Sequence, residues 1–292
     1  MTNRRPRLLP TLAAVLLCAG SLANGAAAEE PLRIAFIAYQ NPDQLLASVE
    51  PVQAYLEERL GRSVESRVAT DYAAIVEALK NESADVGFMG PLQYVIAHRE
   101  AGAYPILGEV YNGSPTYRSK IFVRRDAGIR EIDDLAGKTV AFVDPLSSSG
   151  YLYPLDILRS AGVSDRADDF FRRVYFAGGD EQAIRAVLNR FVDAAGIGEY
   201  SLSLLRPDER EQVIPIAESR SIPSHGVVVR QGIDPELASA LQDALLALNE
   251  GAHRELLQHL YSVDGYVAAD HETYREVEEL ARSHGLLAGA DD

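Results

Sequence analysis

Strands and helices alternate along this chain, and this alternation constrains its fold more than any other feature. Short apolar runs at residues 32–37 and 84–89 predict buried strands, and an amphipathic run at residues 45–60 predicts a helix. The apolar residues that mark this helix are Leu46, Val49, Val52 and Leu56. A strand at 63–68 and helices at 73–80 and 92–100 complete three strands that are each followed by a helix, which predicts a parallel α/β sheet in the first part of the chain.

A second set of alternating elements begins near Ser119. Its predicted strands are residues 120–123, 139–143, 174–176 and 192–197, with a helix at 181–190 before the last of them. The chain then passes residues 221–223 and enters a strand at 227–229, so its last part is free to return to the first set. Two sets predict two lobes with a cleft, and ligands of open α/β sheets bind at the carboxyl ends of strands.

A serine-rich elbow at residues 143–152 joins a strand to a helix. Ser147, Ser148 and Ser149 stand before the helical run 153–159. The first amides of a helix lack intrahelical partners and its dipole is positive there, so these groups with serine hydroxyls would suit a tetrahedral oxyanion. The alternative is that one serine caps the helix and the others fill a loop, and for the elbow alone this is favoured.

The N-terminus has the pattern of a targeting signal. Three arginines precede an apolar stretch at residues 8–19, and small residues end at Ala28, near which cleavage is expected. The mature chain would then be soluble and periplasmic. Cys18, the only cysteine, lies within the signal, and Leu17 before it argues against lipid attachment.

Charge and motif content exclude several classes of function. The formal net charge is −15, and loss of the signal arginines makes the mature chain more acidic still, which disfavours binding to nucleic acid or anionic lipid. The six histidines show no close metal-ligand pairing, and the Gly-x-Ser-x-Gly elbow of many hydrolases is absent. We therefore expect neither an enzyme nor a protein with a metal or cofactor.

Five segments together resemble one known family, the PhnD-like periplasmic phosphonate-, phosphite- and phosphate-binding proteins of ABC transporters. The matching segments are residues 71–75, 113–117, 144–154, 192–195 and 221–223, in family order. The resemblance implies an α/β, two-lobe periplasmic binding protein fold of type II, with a ligand cleft between the lobes and two hinge crossings. The implied division is 1–28 signal peptide, 29–117 plus 223–292 lobe 1, and 118–222 lobe 2.

The resemblance also implies an oxyanion held by hydroxyl groups from both lobes. It assigns Tyr72 and Tyr117 to the ligand from the first lobe. From the second lobe it assigns Ser147, Ser148, Ser149 and Gly150. Phenol and serine hydroxyls donate strongly to anionic oxygen. The alternative for each tyrosine is an amphipathic ring half-buried at the end of an element.

Three positions depart from the family pattern. Gly179 stands where the family's phosphonate binders have a histidine, and Tyr200 and His225 stand where two carboxylates read an amino group. 2-Aminoethylphosphonate is therefore a poor candidate, which leaves phosphate, phosphite or methylphosphonate as the default ligand. His225 could supply a donor, although a surface position without a ligand role is favoured. Asp180 could read a positive or hydrogen-bonding group of the ligand, or cap the helix at 181–190.

The function implied is capture of a small oxyanion and its delivery to an ABC permease. A monomer is expected, with hinges near residues 117–119 and 220–223 that close on the ligand. Two alternatives keep the fold: a sensor that presents its ligand to a membrane histidine kinase, or a cleft re-tasked for a solute without phosphorus.

Overall fold

A computed structural model of the protein describes residues 30–37, 42–163, 170–261 and 263–287. The expected signal peptide and its cleavage point near Ala28 lie outside this part of the chain. Among the described helices none is long and apolar enough to cross a membrane.

The first lobe is built on a six-stranded sheet covered by helices. Its strands are β1 (Leu32–Phe36), β2 (Val64–Val68), β3 (Val86–Met89), β4 (Tyr104–Val110), β12 (Gly226–Val229) and β13 (Gly265–Ala268). Their order across the sheet is β13-β4-β12-β3-β1-β2. The helices are α1 (Pro42–Leu60), α2 (Tyr72–Lys80), α3 (Pro91–Ala101), α7 (Pro235–Leu246) and α8 (Arg275–Ser283).

The second lobe is built on a five-stranded sheet. Its strands are β6 (Ser119–Arg124), β7 (Thr139–Phe142), β8 (Arg173–Phe176), β9 (Ala194–Gly198) and β10 (Val213–Glu218), in the order β10-β6-β9-β7-β8. Its described helices are α4 (Tyr153–Ser160), α5 (Asp180–Leu188) and α6 (Pro207–Arg210). A π-helical turn at Ser148–Leu152 leads into α4, and a 3₁₀ helix at Glu199–Leu204 follows β9.

Two short antiparallel strands join the lobes where the chain crosses between them. They are β5 (Thr116–Tyr117) and β11 (Ile222–Pro223), paired as Ile222 with Tyr117 and Pro223 with Thr116. The resemblance implied two hinge crossings, and this pairing places the two crossings side by side. The lobe boundaries at 117/118 and 222/223 stay a prediction.

The expectation of parallel sheets is wrong for several strand pairings. Among the described strands, β1 pairs parallel with β2 and β3, and β7 pairs parallel with β8 and β9, whereas the other pairings in the two sheets are antiparallel. The strands that follow the crossings, β6 and β12, start at the cleft, where β9 and β3 end, so each runs antiparallel to its neighbour. The alternation of strands and helices along the sequence does not predict that the chain crosses the hinge and adds a strand in the opposite direction.

The core face of α1 differs from the expected face at one position, where Leu45 is buried in place of Leu46. Leu45 is 1% exposed and Leu46 is 38% exposed, whereas Val49, Val52 and Leu56 are buried as expected. Positions 45, 49, 52 and 56 follow the spacing of one helix face. Each such buried side chain contributes about 1.5–3 kcal/mol relative to exposure, which holds α1 on the sheet.

Candidate ligand-binding site

Ser147 caps the π-helical turn, so the capping alternative is correct for one of the three serines. Its Oγ accepts a hydrogen bond from the backbone N–H of Gly150 at 3.0 Å. A Cβ on Gly150 would lie 2.3 Å from Cγ2 of Val143, a contact that would force the turn away from β7. Gly150 is therefore required by the tight packing of the elbow against its strand.

Ser148 makes a contact between the lobes. Its Oγ accepts a 2.8 Å hydrogen bond from the backbone N–H of Leu92, in the first turn of α3. First-turn amides have no partner within their own helix, so this hydroxyl satisfies one of them. The hydroxyl hydrogen of Ser148 stays available to donate. The structure thus has the two lobes closed on each other at the elbow.

Ser149 is anchored through its backbone and buried beside Tyr117. Its carbonyl oxygen accepts a 2.6 Å hydrogen bond from Oγ of Ser119, and its side chain is 3% exposed. The side chain is thereby held at the cleft by β6, the first strand after the crossing.

Tyr72 is positioned by the start of α2. The carboxylate of Asp71 caps this helix by accepting from the N–H of Ala74 at 2.8 Å, and Nε2 of Gln93 donates to the carbonyl of Tyr72 at 2.8 Å. Burial raises the pKa of Tyr72 well above its ordinary value, the charge of Asp180 raises it further, and a hydrogen bond with the Ser147 side chain opposes both. Tyr72 therefore stays a phenol, and a donor, at neutral pH.

The hydroxyl of Tyr117 is buried without a hydrogen-bond partner among the described residues. Burial raises its pKa above its ordinary value; Ser149 and Tyr200 lie near enough to oppose this slightly, but neither meets hydrogen-bond geometry with it. A buried hydroxyl left unsatisfied costs about 1–3 kcal/mol. We call Tyr72, Tyr117, Ser147, Ser148 and Ser149 the hydroxyl cluster; each of them is 5% exposed or less.

Asp180 is a buried carboxyl at the first position of α5. The helix cap is Gly179, and Oδ1 of Asp180 accepts from Oγ of Ser201 at 2.8 Å and from the N–H of Gly198 at 3.3 Å. These contacts tie α5 to the end of β9, so Asp180 is more than a plain cap. Burial raises its pKa, which hydrogen bonds oppose, and no lysine or arginine pairs with it in the described chain.

Tyr200 stacks on Tyr111, a tyrosine that was not among the expected residues, and His225 stacks on Tyr117. The rings of Tyr200 and Tyr111 are parallel within 9° at 5.5 Å, and the rings of Tyr117 and His225 are stacked at 5.5 Å. The hydroxyl of Tyr200 is 3.3 Å from Nε2 of His225. Tyr111 and His225 belong to the first lobe and Tyr200 to the second, so this stack also spans the cleft.

A buried glutamate behind the stack was also missed from the sequence. Oε2 of Glu109 accepts a 3.0 Å hydrogen bond from the hydroxyl of Tyr111 and lies 3.7 Å from Nδ1 of His225. A signal existed, because Glu109 is an acid within the otherwise apolar and small run of β4. We call Glu109, Tyr111, Tyr200 and His225 the aromatic wall.

His225 is 5% exposed, so the expectation of a surface histidine is wrong. Burial lowers its pKa to about 3. Burial also raises the pKa of Glu109 to about 8, and the hydrogen bond from Tyr111 opposes this only in part. The carboxyl of Glu109 is therefore protonated and the imidazole of His225 neutral at neutral pH, so the two add no net charge to the cleft.

A cavity of about 150 Å³ opens beside Asp180 and the aromatic wall. Residues of both lobes line it: Ser48, Tyr111, Gln258, His259 and Tyr261 from the first, and Asp180, Tyr200, Ser201, Ser203 and Leu204 from the second. No lysine or arginine is among these residues. A groove of about 430 Å³ between α2 and α3 is larger but contains none of the expected ligand residues. The described residues hold no group of side chains suited to a metal ion.

Two α/β lobes that close over a cleft lined by hydroxyl groups define the class of two-lobe solute-binding proteins. Residues 34–274 match the family described as "ABC transporter, phosphonate, periplasmic substrate-binding protein", and the chain belongs to this family. Its members are binding subunits of transporters and not enzymes.

Two curated relatives and one solved structure illustrate the similarity. The chain is 36% identical over 173 residues to the phosphate-import protein PhnD of Mycolicibacterium smegmatis, covering 56% of this chain and 54% of the relative. It is 27% identical over 223 residues to the phosphonates-binding periplasmic protein of Escherichia coli, covering 74% and 65%. The chain thus spans less than two thirds of the length of either relative.

The solved structure supports the fold. It is the binding protein component of an ABC phosphonate transporter from Pseudomonas aeruginosa, with a TM-score of 0.80 and 23% identity over 88% of this chain and 87% of that one.

Proposed function

We propose that the protein captures a small phosphorus oxyanion, a phosphonate, phosphite or phosphate, between its lobes in the periplasm and delivers it to an ABC permease. The observation that carries the proposal is the hydroxyl of Tyr117, which is buried without a partner among the described residues, next to the serine elbow. Family membership supports the class of ligand, and the names of both curated relatives agree with it.

The chemistry of the hydroxyl cluster suits a tetrahedral anion. All five hydroxyl-bearing side chains of the cluster are buried, and hydrogen bonds to an ionised acceptor are roughly twice as strong as those between neutral groups. The cluster binds the anion by donated hydrogen bonds, so the acidic surface of the chain does not prevent binding. Tyr72 and Tyr117 come from one lobe and the serines from the other, so an anion that bridges them stabilises closure.

Calorimetry with methylphosphonate, phosphite and phosphate tests the proposal on the mature protein. Binding of at least one of them, weakened by Tyr117→Phe, is the expected result. The matched control is Tyr104→Phe, since Tyr104 lies at the start of β4 and is 37% exposed. Failure of all three, or binding that Tyr117→Phe leaves unchanged, would contradict the proposal. A clear response to solutes without phosphorus would then indicate a re-tasked cleft.

The partner and the location of the mature chain are separate parts of the proposal. We propose that the signal is cleaved near Ala28 and that the mature chain is a monomer, which mass spectrometry and light scattering of the exported protein would check. Delivery to a permease, as opposed to presentation to a sensor kinase, would be checked by uptake of radiolabelled ligand into cells with and without the protein.

A further inference from the structure

Asp180 adds a hydrogen-bond acceptor beside the hydroxyl cluster, whose groups would serve the ligand as donors. Its carboxyl is 2% exposed, and it also lies on the wall of the cavity of about 150 Å³. The N–H of Gly198 donates to its Oδ1, and a Cβ on Gly198 would lie 3.1 Å from Oγ of Ser149 and 3.0 Å from the ring of Tyr200, so Asp180 lies close to the hydroxyl cluster as well as to the aromatic wall.

Only neutral donors contact this carboxyl among the described residues. Oδ1 accepts from Ser201 and, at 3.3 Å, from the backbone of Gly198, and no cation pairs with it within the described chain. A carboxylate accepts hydrogen bonds and cannot donate them. A fully ionised oxyanion beside it would suffer like-charge repulsion, whereas an oxyanion with one O–H group would form a charge-assisted O–H···O bond.

We propose that Asp180 selects oxyanions that carry a proton, so that the cleft accepts hydrogenphosphonate or hydrogenphosphate and rejects sulfonate and sulfate of the same shape and charge. This inference rests on the proposed function and names the substrate class within it. The hydroxyl cluster recognises the anionic oxygens, and Asp180 accepts from the one oxygen that is protonated. A site built to hydrogen-bond an O–H group discriminates strongly against an analogue that lacks it, because the acceptor is then left unpaired.

Two matched ligand pairs test this on the wild-type chain alone. Methylphosphonate as its monoanion and methanesulfonate have the same charge and shape and differ by one proton, and so do hydrogenphosphate and sulfate. Calorimetry should give at least about 100-fold tighter binding for the phosphorus member of a pair that binds. Comparable affinities within a pair would overturn the inference, because they would mean that the carboxyl itself carries the proton.

Asp180→Asn separates ligand selection from the structural contacts of Asp180. The amide oxygen can still accept from Ser201 and Gly198, while the new NH₂ group donates to an unprotonated oxygen. The ratio within each pair should fall to less than about 10-fold, mainly because the sulfur member gains affinity. Asp208→Asn is the matched control, since this aspartate is exposed on α6 of the same lobe.

The outcomes distinguish this inference from the proposed function. If the wild type binds a phosphorus oxyanion but Asp180→Asn weakens both members of the pair equally, the inference alone fails. If the wild type binds no phosphorus oxyanion, the proposed function fails. Should Asp180→Asn not fold, which a melting curve would reveal, the wild-type ligand pairs decide the matter.

Discussion

The hydroxyl cluster and the aromatic wall face the same cleft but differ in how their polar groups are satisfied. In the cluster, the hydroxyl of Tyr117 has no partner among the described residues, and the hydroxyl of Ser148 accepts from the other lobe. In the wall, the hydroxyl of Tyr111 donates to Glu109 and that of Tyr200 lies within hydrogen-bonding distance of His225, although Oε1 of Glu109 has no partner among the described residues. The hydroxyl groups of Tyr111 and Tyr200 are thus matched within the wall, whereas the hydroxyl of Tyr117 is left available to donate.

Gly150→Ala should have the largest effect on ligand affinity, because it should displace the serines of the hydroxyl cluster while leaving the aromatic wall in place. The added Cβ would lie 2.3 Å from Cγ2 of Val143, so the elbow must move. Overpacking of this kind costs about 1–3 kcal/mol of stability. We expect a lower melting temperature and no measurable binding of methylphosphonate. Wild-type affinity in this variant would show that the elbow does not position the ligand.

Tyr117→Phe should weaken binding without moving the elbow. It removes one hydrogen bond to a charged acceptor, worth about 1.5–3 kcal/mol, which corresponds to about a 10- to 150-fold loss of affinity by calorimetry. The stability of the ligand-free protein should not fall, because the hydroxyl has no partner to lose among the described residues. A loss of stability without a loss of affinity would assign this tyrosine to the core alone.

Ser148→Ala should reduce ligand affinity less than Tyr117→Phe does. It should do so by making closure of the two lobes less favourable. The variant leaves the amide of Leu92 without its 2.8 Å partner when the lobes close, at a cost of about 1 kcal/mol. Affinity should fall about 5-fold or more, and small-angle scattering should show a larger fraction of open molecules. An unchanged scattering curve would argue against a contact that favours the closed form.

Glu109→Gln should have the smallest effect on affinity and should change the pH dependence of stability instead. The pKa of Glu109 rises from 4.5 to about 8, so the folded chain keeps a proton that the unfolded chain releases, and stability falls as pH rises through this window. The pKa of His225 falls from 6.5 to about 3, so its contribution to stability falls as pH drops through that window. Between the ordinary pKa values of Glu109 and His225, 4.5 and 6.5, the two residues change the free energy of unfolding with pH by equal and opposite amounts.

In Glu109→Gln only the histidine slope remains. The free energy of unfolding should then rise between about pH 5 and about pH 6 by up to about 1.4 kcal/mol per pH unit, whereas the wild type gains no net slope from this pair. Urea denaturation at both pH values checks this. Equal slopes in the variant and the wild type would show that Glu109 does not keep its proton in the folded chain across this pH range.

The hydroxyl cluster and two residues of the aromatic wall, Tyr200 and His225, were named from the sequence, whereas Glu109 and Tyr111 were not. Strand, serine elbow and helix are consecutive in the chain, so local pattern and the family resemblance suffice to bring Ser147, Ser148 and Ser149 to a strand end. Glu109 and His225 meet because β12 returns from the second lobe and pairs with β4, where the N–H of Glu109 donates to the carbonyl of His225 at 2.9 Å. The direction and position of that returning strand depend on the hinge and leave no local periodicity.

A crystal structure of the mature protein grown with methylphosphonate tests the central claim most directly. The account predicts a closed cleft with phosphonate oxygens within about 2.5–3.0 Å of the hydroxyl of Tyr117 and of at least one serine hydroxyl of the elbow. It also predicts that the methyl group points toward the aromatic wall. A phosphonate bound away from the hydroxyl cluster, with the hydroxyl of Tyr117 still unpartnered, would contradict it.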